Sequence, residues 1–194
     1  MHDFDHVLRV YRMAERLAQA EGGDLEIVRA AALLHDARGA AAGQVSRTEH
    51  HLASAEFAGR VLAAEGWPAE RIAAVQHCIR AHRFRGDEQP RSLEAKILFD
   101  ADKLDALGAI GAARVIAYAT LVGTPWYWPP SETFLKTGRE EEGEPHSAYH
   151  EHLFKLRRVS KRLFTPTARA IAAKRLEFLE EFFGRLVEEW EGRG

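Results

Sequence analysis

Four side chains break the apolar pattern of the helices that carry them. His6, His35, Asp36 and Asp102 each stand on or beside a stripe that helical spacing reserves for buried residues. A carboxylate taken out of water without a partner is costly, and it neutralises or finds a cation. Two imidazoles and two carboxylates directed into one interior therefore invite a divalent metal. Mixed nitrogen and oxygen donors suit Mn, Fe, Co, Ni or Zn better than Ca, and no thiolate is required. Two carboxylates formally neutralise a +2 ion. Four protein ligands around a six-coordinate ion leave two positions for water and substrate, the mark of a catalytic site. Each residue alone has a plainer explanation. A histidine on an apolar stripe can bond a backbone carbonyl, Asp36 can cap its helix end, and Asp102 can pair with an arginine. Three such coincidences on three helices favour the ion.

The elements that must position these groups read as helices. His6, Val10, Met13 and Leu17 form one stripe, ended by Gly22-Gly23. Asp24 is an N-cap for a second helix, whose face is Leu25, Val28, Ala32 and His35 and which Gly39 closes. Adjacent His35 and Asp36 lie about 100° apart around a helix, yet near its end both can lean towards one ion. Ser46 and Glu49 form a capping box for a helix running to Gly66. Pro68 opens the next helix, with Ile72, Val75, Ile79 and His82 on its stripe. Ser92 caps a helix with the face Ala95, Leu98, Asp102, Asp105 and Ala109, weakened at Gly108 and Gly111. Residues 123–146, rich in Gly, Pro and acid, read as an irregular lid or a peripheral excursion. Two helices follow, about 147–163 and 166–190, the second opened by Thr165-Pro166. No alternating strand pattern of useful length is present. The expected fold is all-α, a compact single-domain helical bundle. Residues 1–122 form its metal-binding core, 123–146 a loop or lid, and 147–194 the C-terminal helices packed on the same domain.

Composition narrows the partners. The 194 residues suit one domain, and a formal net charge of −2 gives duplex nucleic acid no basic surface to find. The single cysteine, Cys78, cannot form an internal disulfide and reads as a small core residue. The N-terminal stretch has no basic region followed by an apolar one, and no apolar run is long enough to span a bilayer, so a cytoplasmic location is expected.

The segments "HDFDHVLRV", "AALLHDA" and "DADKLDALGAIGAAR" together resemble the HD-domain superfamily of metal-dependent phosphohydrolases, whose signature is H…HD…D. The likeness extends through "SAEFAGRVLAAEGW", "CIRAHRF" and the last helices, and is nearest to a compact bacterial branch that resembles nucleotide pyrophosphatases. It implies a helical bundle and one divalent ion (Mn, Ni, Co, Fe, Zn or Mg) held by His6, His35, Asp36 and Asp102. His6 is preferred to His2, which lies outside the first stripe, and the aspartate before Lys103-Leu104 picks Asp102. Asp100 and Asp105 then stand beside the ligands, as hydrogen-bond partners for a ligand histidine. His82 matches the family's AH-x-F segment as a contact to substrate or water; with Asp105 it makes up the catalytic expectation. The chain departs from the family after the HD pair. "HDARGAAAGQ" lacks the acidic residue and lysine that many relatives carry, which leaves the general base unassigned and Arg38 as a replacement phosphate contact. No histidine pair ends the helix of His77 and His82, so one ion is expected; His51 and His77 read as surface or packing histidines.

The implied activity is hydrolysis of a nucleotide by metal-activated water, a nucleoside triphosphate giving monophosphate and pyrophosphate. Cationic groups near the ligands, Lys103, Arg9, Arg38, Arg47, Arg80 and Arg83, are expected to meet the phosphates. "WYWPP" offers rings to stack on a base if 123–146 folds over the site. Three alternatives stand beside this: a 5′-nucleotidase-type phosphomonoesterase, a non-catalytic nucleotide or second-messenger sensor, and a di-iron oxygenase that would need extra histidine ligands. The last helix carries Leu176, Leu179, Phe183 and Leu186 on one stripe, which either packs on the core or forms a homodimer.

Overall fold

The structure, a computed structural model, describes residues 4–38, 50–83 and 88–193. The Ser46–Glu49 capping box, Gly39 and Arg47 lie outside these residues. Among the described residues all regular structure is helical. The chain divides into two compact units, Met1–Lys103 with Leu163–Ala168, and Leu104–Arg162 with Arg169–Gly194.

In the first unit α1 (Phe4–Glu21) packs on α2 (Leu25–Leu34), α2 packs on α3 (His50–Ala64) and α4 (Ala69–Ala81), and α3 packs on α4. Two of this unit's helices begin where a polar residue takes up their first N–H groups. Asp24 accepts from Glu26 and Ile27 N–H, and Ser92 accepts from Ala95 N–H at the head of α5 (Leu93–Leu104). The interior is built from small and aliphatic residues: Val10, Ala14 and Leu17 of α1, Val28, Ala31 and Ala32 of α2, Val75, Cys78 and Ile79 of α4, and Ile97 and Leu98 of α5. Burial pushes the Cys78 thiol up to about 12, so it packs as a small apolar group.

The second unit holds α6 (Gly108–Val122), α7 (Glu132–Thr137), α8 (Ala148–Glu151), α9 (Arg157–Val159) and most of α10 (Pro166–Trp190). Three features depart from the expected elements. The run from Ala95 to Ala109 is not one helix: α5 stops at Leu104, and Gly108, at φ +71°, starts α6. That backbone angle suits glycine, and a Cβ there would press on the Arg175 side chain at 3.1 Å. Residues 123–146 contain a helix, α7, capped by Ser131 and closed by Gly138. Six residues are too few for periodicity to declare it among prolines and glycines. Residues 147–163 form no single helix: α8 passes into a π-helical turn, His152–Leu156, then α9 and a 3-10 turn, Ser160–Arg162. On α10 Leu179 and Phe183 are fully buried, so that stripe packs inward. No single helix is long and apolar enough to cross a membrane.

His152, which is buried, and Glu144 give this unit a defined response to acid. His152 lies flat on Phe183, ring centres 4.4 Å apart, and burial pushes it down to about 4 from 6.5; Glu180 raises it in part and Arg157 lowers it further. The unfolded chain binds the proton more readily, so this contribution is complete above pH about 6.5 and is lost as pH falls towards 4. Burial alone would raise Glu144, but hydrogen bonds from His150, Glu141 N–H and Ser131 hold it down at about 2. Its contribution is lost lower, from pH 4.5 downward. Thermal melts followed by circular dichroism are expected to show falling stability from pH 7 to 4. His152→Leu should flatten the upper part of that fall; an unchanged profile would contradict this assignment.

Candidate metal centre

Two of the site's imidazoles are positioned by the way their helices end. The last carbonyls of an α-helix have no intrahelical donor. His35 follows α2 as its C-cap, and its Nδ1–H donates to the Ala32 carbonyl at 2.7 Å. His82 follows α4 in the same manner, Nδ1–H donating to the Ile79 carbonyl at 2.6 Å. A carbonyl can only accept, so Nδ1 carries the hydrogen in both rings. In the neutral ring Nε2 then holds a lone pair. Both residues are buried, and their rings stand edge to face at 5.2 Å. One local bond therefore completes a helix end, fixes a tautomer and aims a donor atom inward.

The inward atoms meet. His6, buried in the first turn of α1, brings Nε2 to 3.4 Å from His35 Nε2, 3.4 Å from Asp102 Oδ1 and 3.7 Å from Asp36 Oδ2. His35 Nε2 lies 3.5 Å from Asp36 Oδ2. All four of these separations exceed an ordinary hydrogen bond of about 2.9 Å. Two ligands each about 2.1 Å from a shared ion stand about 3.0–3.4 Å apart at octahedral or tetrahedral angles. The observed spacings lie within a few tenths of an ångström of that. The donor set, its spacing and the fixed His35 tautomer fit a divalent ion. Lys103 Nζ lies 2.5 Å from the other Asp102 oxygen, Oδ2. Burial alone would raise Asp102, but the Lys103 ammonium and the His6 hydrogen bond hold it well below the usual carboxylate range.

A second group adjoins the first. Asp36 Oδ1 faces His50 Nε2 at 3.7 Å and His82 Nε2 at 3.9 Å, and these three residues have the spacing of a metal-binding group. Asp36 thus presents one oxygen to each group. Burial, with His35 and Lys103 nearby, pushes His82 down to about 3 despite the opposing pull of Asp102 and Asp36, so its ring is neutral at neutral pH. His50 was not singled out by the sequence reading. Its signal was the His50-His51 pair between the HD pair and Asp102, which opens α3.

The remaining expected residues are placed as follows. Asp105 lies one residue beyond α5 and pairs with Arg114 at 2.6 Å. Asp100, fully buried, accepts hydrogen bonds from the N–H groups of Phe164 and Thr165 and from the Thr165 hydroxyl. The Arg38 guanidinium lies over the Phe57 ring at 5.5 Å, and its backbone N–H donates to Ser54. Arg80 pairs with Glu88, which also bonds His77. Arg9 and Arg83 are half-buried.

The chain is similar to known proteins over most of its length. The family model of the HD domain matches residues 3–107, a span that contains all six donors described above. YpgQ of Bacillus subtilis (strain 168) is 32% identical over 195 residues, covering 98% of this chain and 85% of that one. A crystal structure of Bacillus subtilis YpgQ in complex with ADP superposes with a TM-score of 0.73 at 30% identity, over 97% of this chain and 88% of that one. An HD-superfamily hydrolase from Bacillus thuringiensis gives a TM-score of 0.74 at 28% identity, over 98% and 87%. With the H…HD…D residues converging and the match running through the whole core, the chain belongs to the HD-domain family.

Proposed function

We propose that this chain is a divalent-metal-dependent phosphohydrolase acting on a nucleotide, with a nucleoside triphosphate cleaved to monophosphate and pyrophosphate as its specific reaction. The observation that carries the reading is the convergence of His6, His35, Asp36 and Asp102 donor atoms at 3.4–3.7 Å. Once bound there, a divalent ion supplies a coordinated water of lowered pKa and polarises a phosphoryl oxygen. The chain's own groups do the rest. The Ala32 carbonyl holds the His35 ring in its ligand tautomer, and Lys103 holds Asp102 Oδ2 so that Oδ1 faces His6. Neutral His82, aimed by the Ile79 carbonyl, is proposed to accept a hydrogen bond from water or substrate. Arg9, Arg38, Arg47 and Arg83 are proposed to take up phosphate charge. The ADP held by YpgQ supports a nucleotide as the substrate class. The test is metal analysis of the purified chain, then assay of nucleoside mono-, di- and triphosphates with added Mn, Ni, Co or Mg. Pyrophosphate from triphosphates is the expected product. Orthophosphate from monophosphates would instead select the nucleotidase alternative, and metal binding without turnover across the panel would select the sensor.

The Asp36–His50–His82 group favours a second reading, in which two ions share Asp36. His82→Ala separates the two. With one ion in the His6 group, the variant keeps its metal and kcat/KM falls about 10–100-fold, as for other groups that orient a metal site. With two ions, elemental analysis shows the content falling from two per chain towards one. Two irons per chain and oxygen consumption would select the oxygenase.

A further inference from the structure

The helix α6 is amphipathic in the wrong sense for a surface helix. Gly111, Ala112 and Ala119 face inward, while Ile110, Ala113, Ala117, Tyr118 and Leu121 are apolar and exposed, Ile110 at 41%. Leu121 is 71% and Tyr118 54% exposed. Trp126, 44% exposed, extends the face, its indole N–H donating to Thr120 on the same helix. Arg114 is the one charged residue in α6, and it is engaged with Asp105. At these exposures Tyr118 and Trp126 offer about 100 Å² each, and with the aliphatic residues the face exposes on the order of 500 Å² of mostly apolar surface. That is within the roughly 300–600 Å² range of the largest patch a monomer leaves uncovered. Buried against itself the face removes about 1,000 Å², close to the least that a specific interface buries.

We propose that this face joins two copies of the chain, with α6 packed antiparallel on the partner's α6. The stripe Ile110, Ala113, Ala117, Leu121 is large-small-small-large, so it reads the same in reverse. A two-fold axis near its centre sets small residues against small, where the helices cross closely, and brings Ile110 against the partner's Leu121. An uncharged face meets its own copy without like-charge repulsion. A membrane fits less well. The apolar residues of the adjoining α5 are buried within their own unit, and α6 lacks the Lys and Arg flanks of an interfacial helix.

The test uses the full chain. Sedimentation equilibrium is expected to give a dimer at micromolar concentration. Leu121→Lys and Ile110→Glu should each weaken it at least about 100-fold, with the circular dichroism spectrum unchanged in both and the thermal melt unchanged in Leu121→Lys, whose side chain is 71% exposed. The double variant, which sets an ammonium against a carboxylate across the axis, should restore association. A monomeric parent, a Leu121→Lys chain that still dimerises, or a double variant no better than either single one would overturn the proposal. So would a monomer that floats with phosphatidylcholine–phosphatidylglycerol vesicles in a Leu121-dependent way.

Discussion

Asp36→Ala is expected to abolish both metal retention and turnover. The Asp36 carboxylate offers Oδ2 to His6 and His35 and Oδ1 to His50 and His82, so its removal takes one donor from each group. Three neutral or singly charged donors remain for the first ion, and half of its formal charge compensation is gone. A loss of about 10³-fold or more in kcat/KM is expected, equivalent to roughly 4 kcal/mol of transition-state stabilisation. Two measurements separate this from unfolding. The parent chain should melt higher with added Mn than with a chelator, because an ion that binds only the folded state adds to stability. The variant should show the same melt in both. His35→Ala should behave alike, with the added loss of the hydrogen bond to Ala32. Turnover and a metal-dependent melt both surviving in Asp36→Ala would remove the catalytic reading.

The largest stability loss is expected at Asp100, two residues from a proposed ligand and engaged in different work. Its carboxylate is inaccessible to solvent and receives Phe164 N–H at 2.9 Å, Thr165 N–H at 2.7 Å and the Thr165 hydroxyl at 2.8 Å. Those donors belong to the segment that returns to the first unit and starts α10, where Thr165 Oγ1 also accepts from Ala168 N–H. Asp100→Ala leaves two backbone donors and a hydroxyl buried without this acceptor, at about 3–5 kcal/mol. In a chain of this length that corresponds to a fall of roughly 10 °C or more in Tm. Asp100→Asn keeps an acceptor oxygen and should cost less. Metal content of the folded fraction should be unchanged in both. A variant that loses metal while keeping its Tm would place Asp100 with the ligands instead.

These two aspartates show what local pattern can and cannot reveal. Asp100 and Asp102 sit on one helix in one short motif, and composition treats them alike. Their partners lie far along the chain: Phe164 and Thr165 for one, His6 for the other. Asp105 was read on the same face, but the helix ends at Leu104, and Asp105 instead pairs with Arg114. The glycine that breaks the run was visible as a weakness, though the direction of the chain beyond it was not.

What the sequence by itself determined is the helical content of the chain, its caps at Asp24, Ser92 and Thr165, and the anomaly of polar groups on apolar stripes. These depend on spacing within a few residues, where 3.6 residues per turn and the first orphan N–H groups decide the outcome. The tertiary structure alone decided that His50 of α3 and His82 at the end of α4 face the same carboxylate as His6 and His35. It also decided that α7 and a π-helical turn interrupt the C-terminal region, and that the apolar face of α6 is left uncovered. Those outcomes turn on which helix faces which. That choice is made by packing the whole interior at once, and no local window of residues contains it.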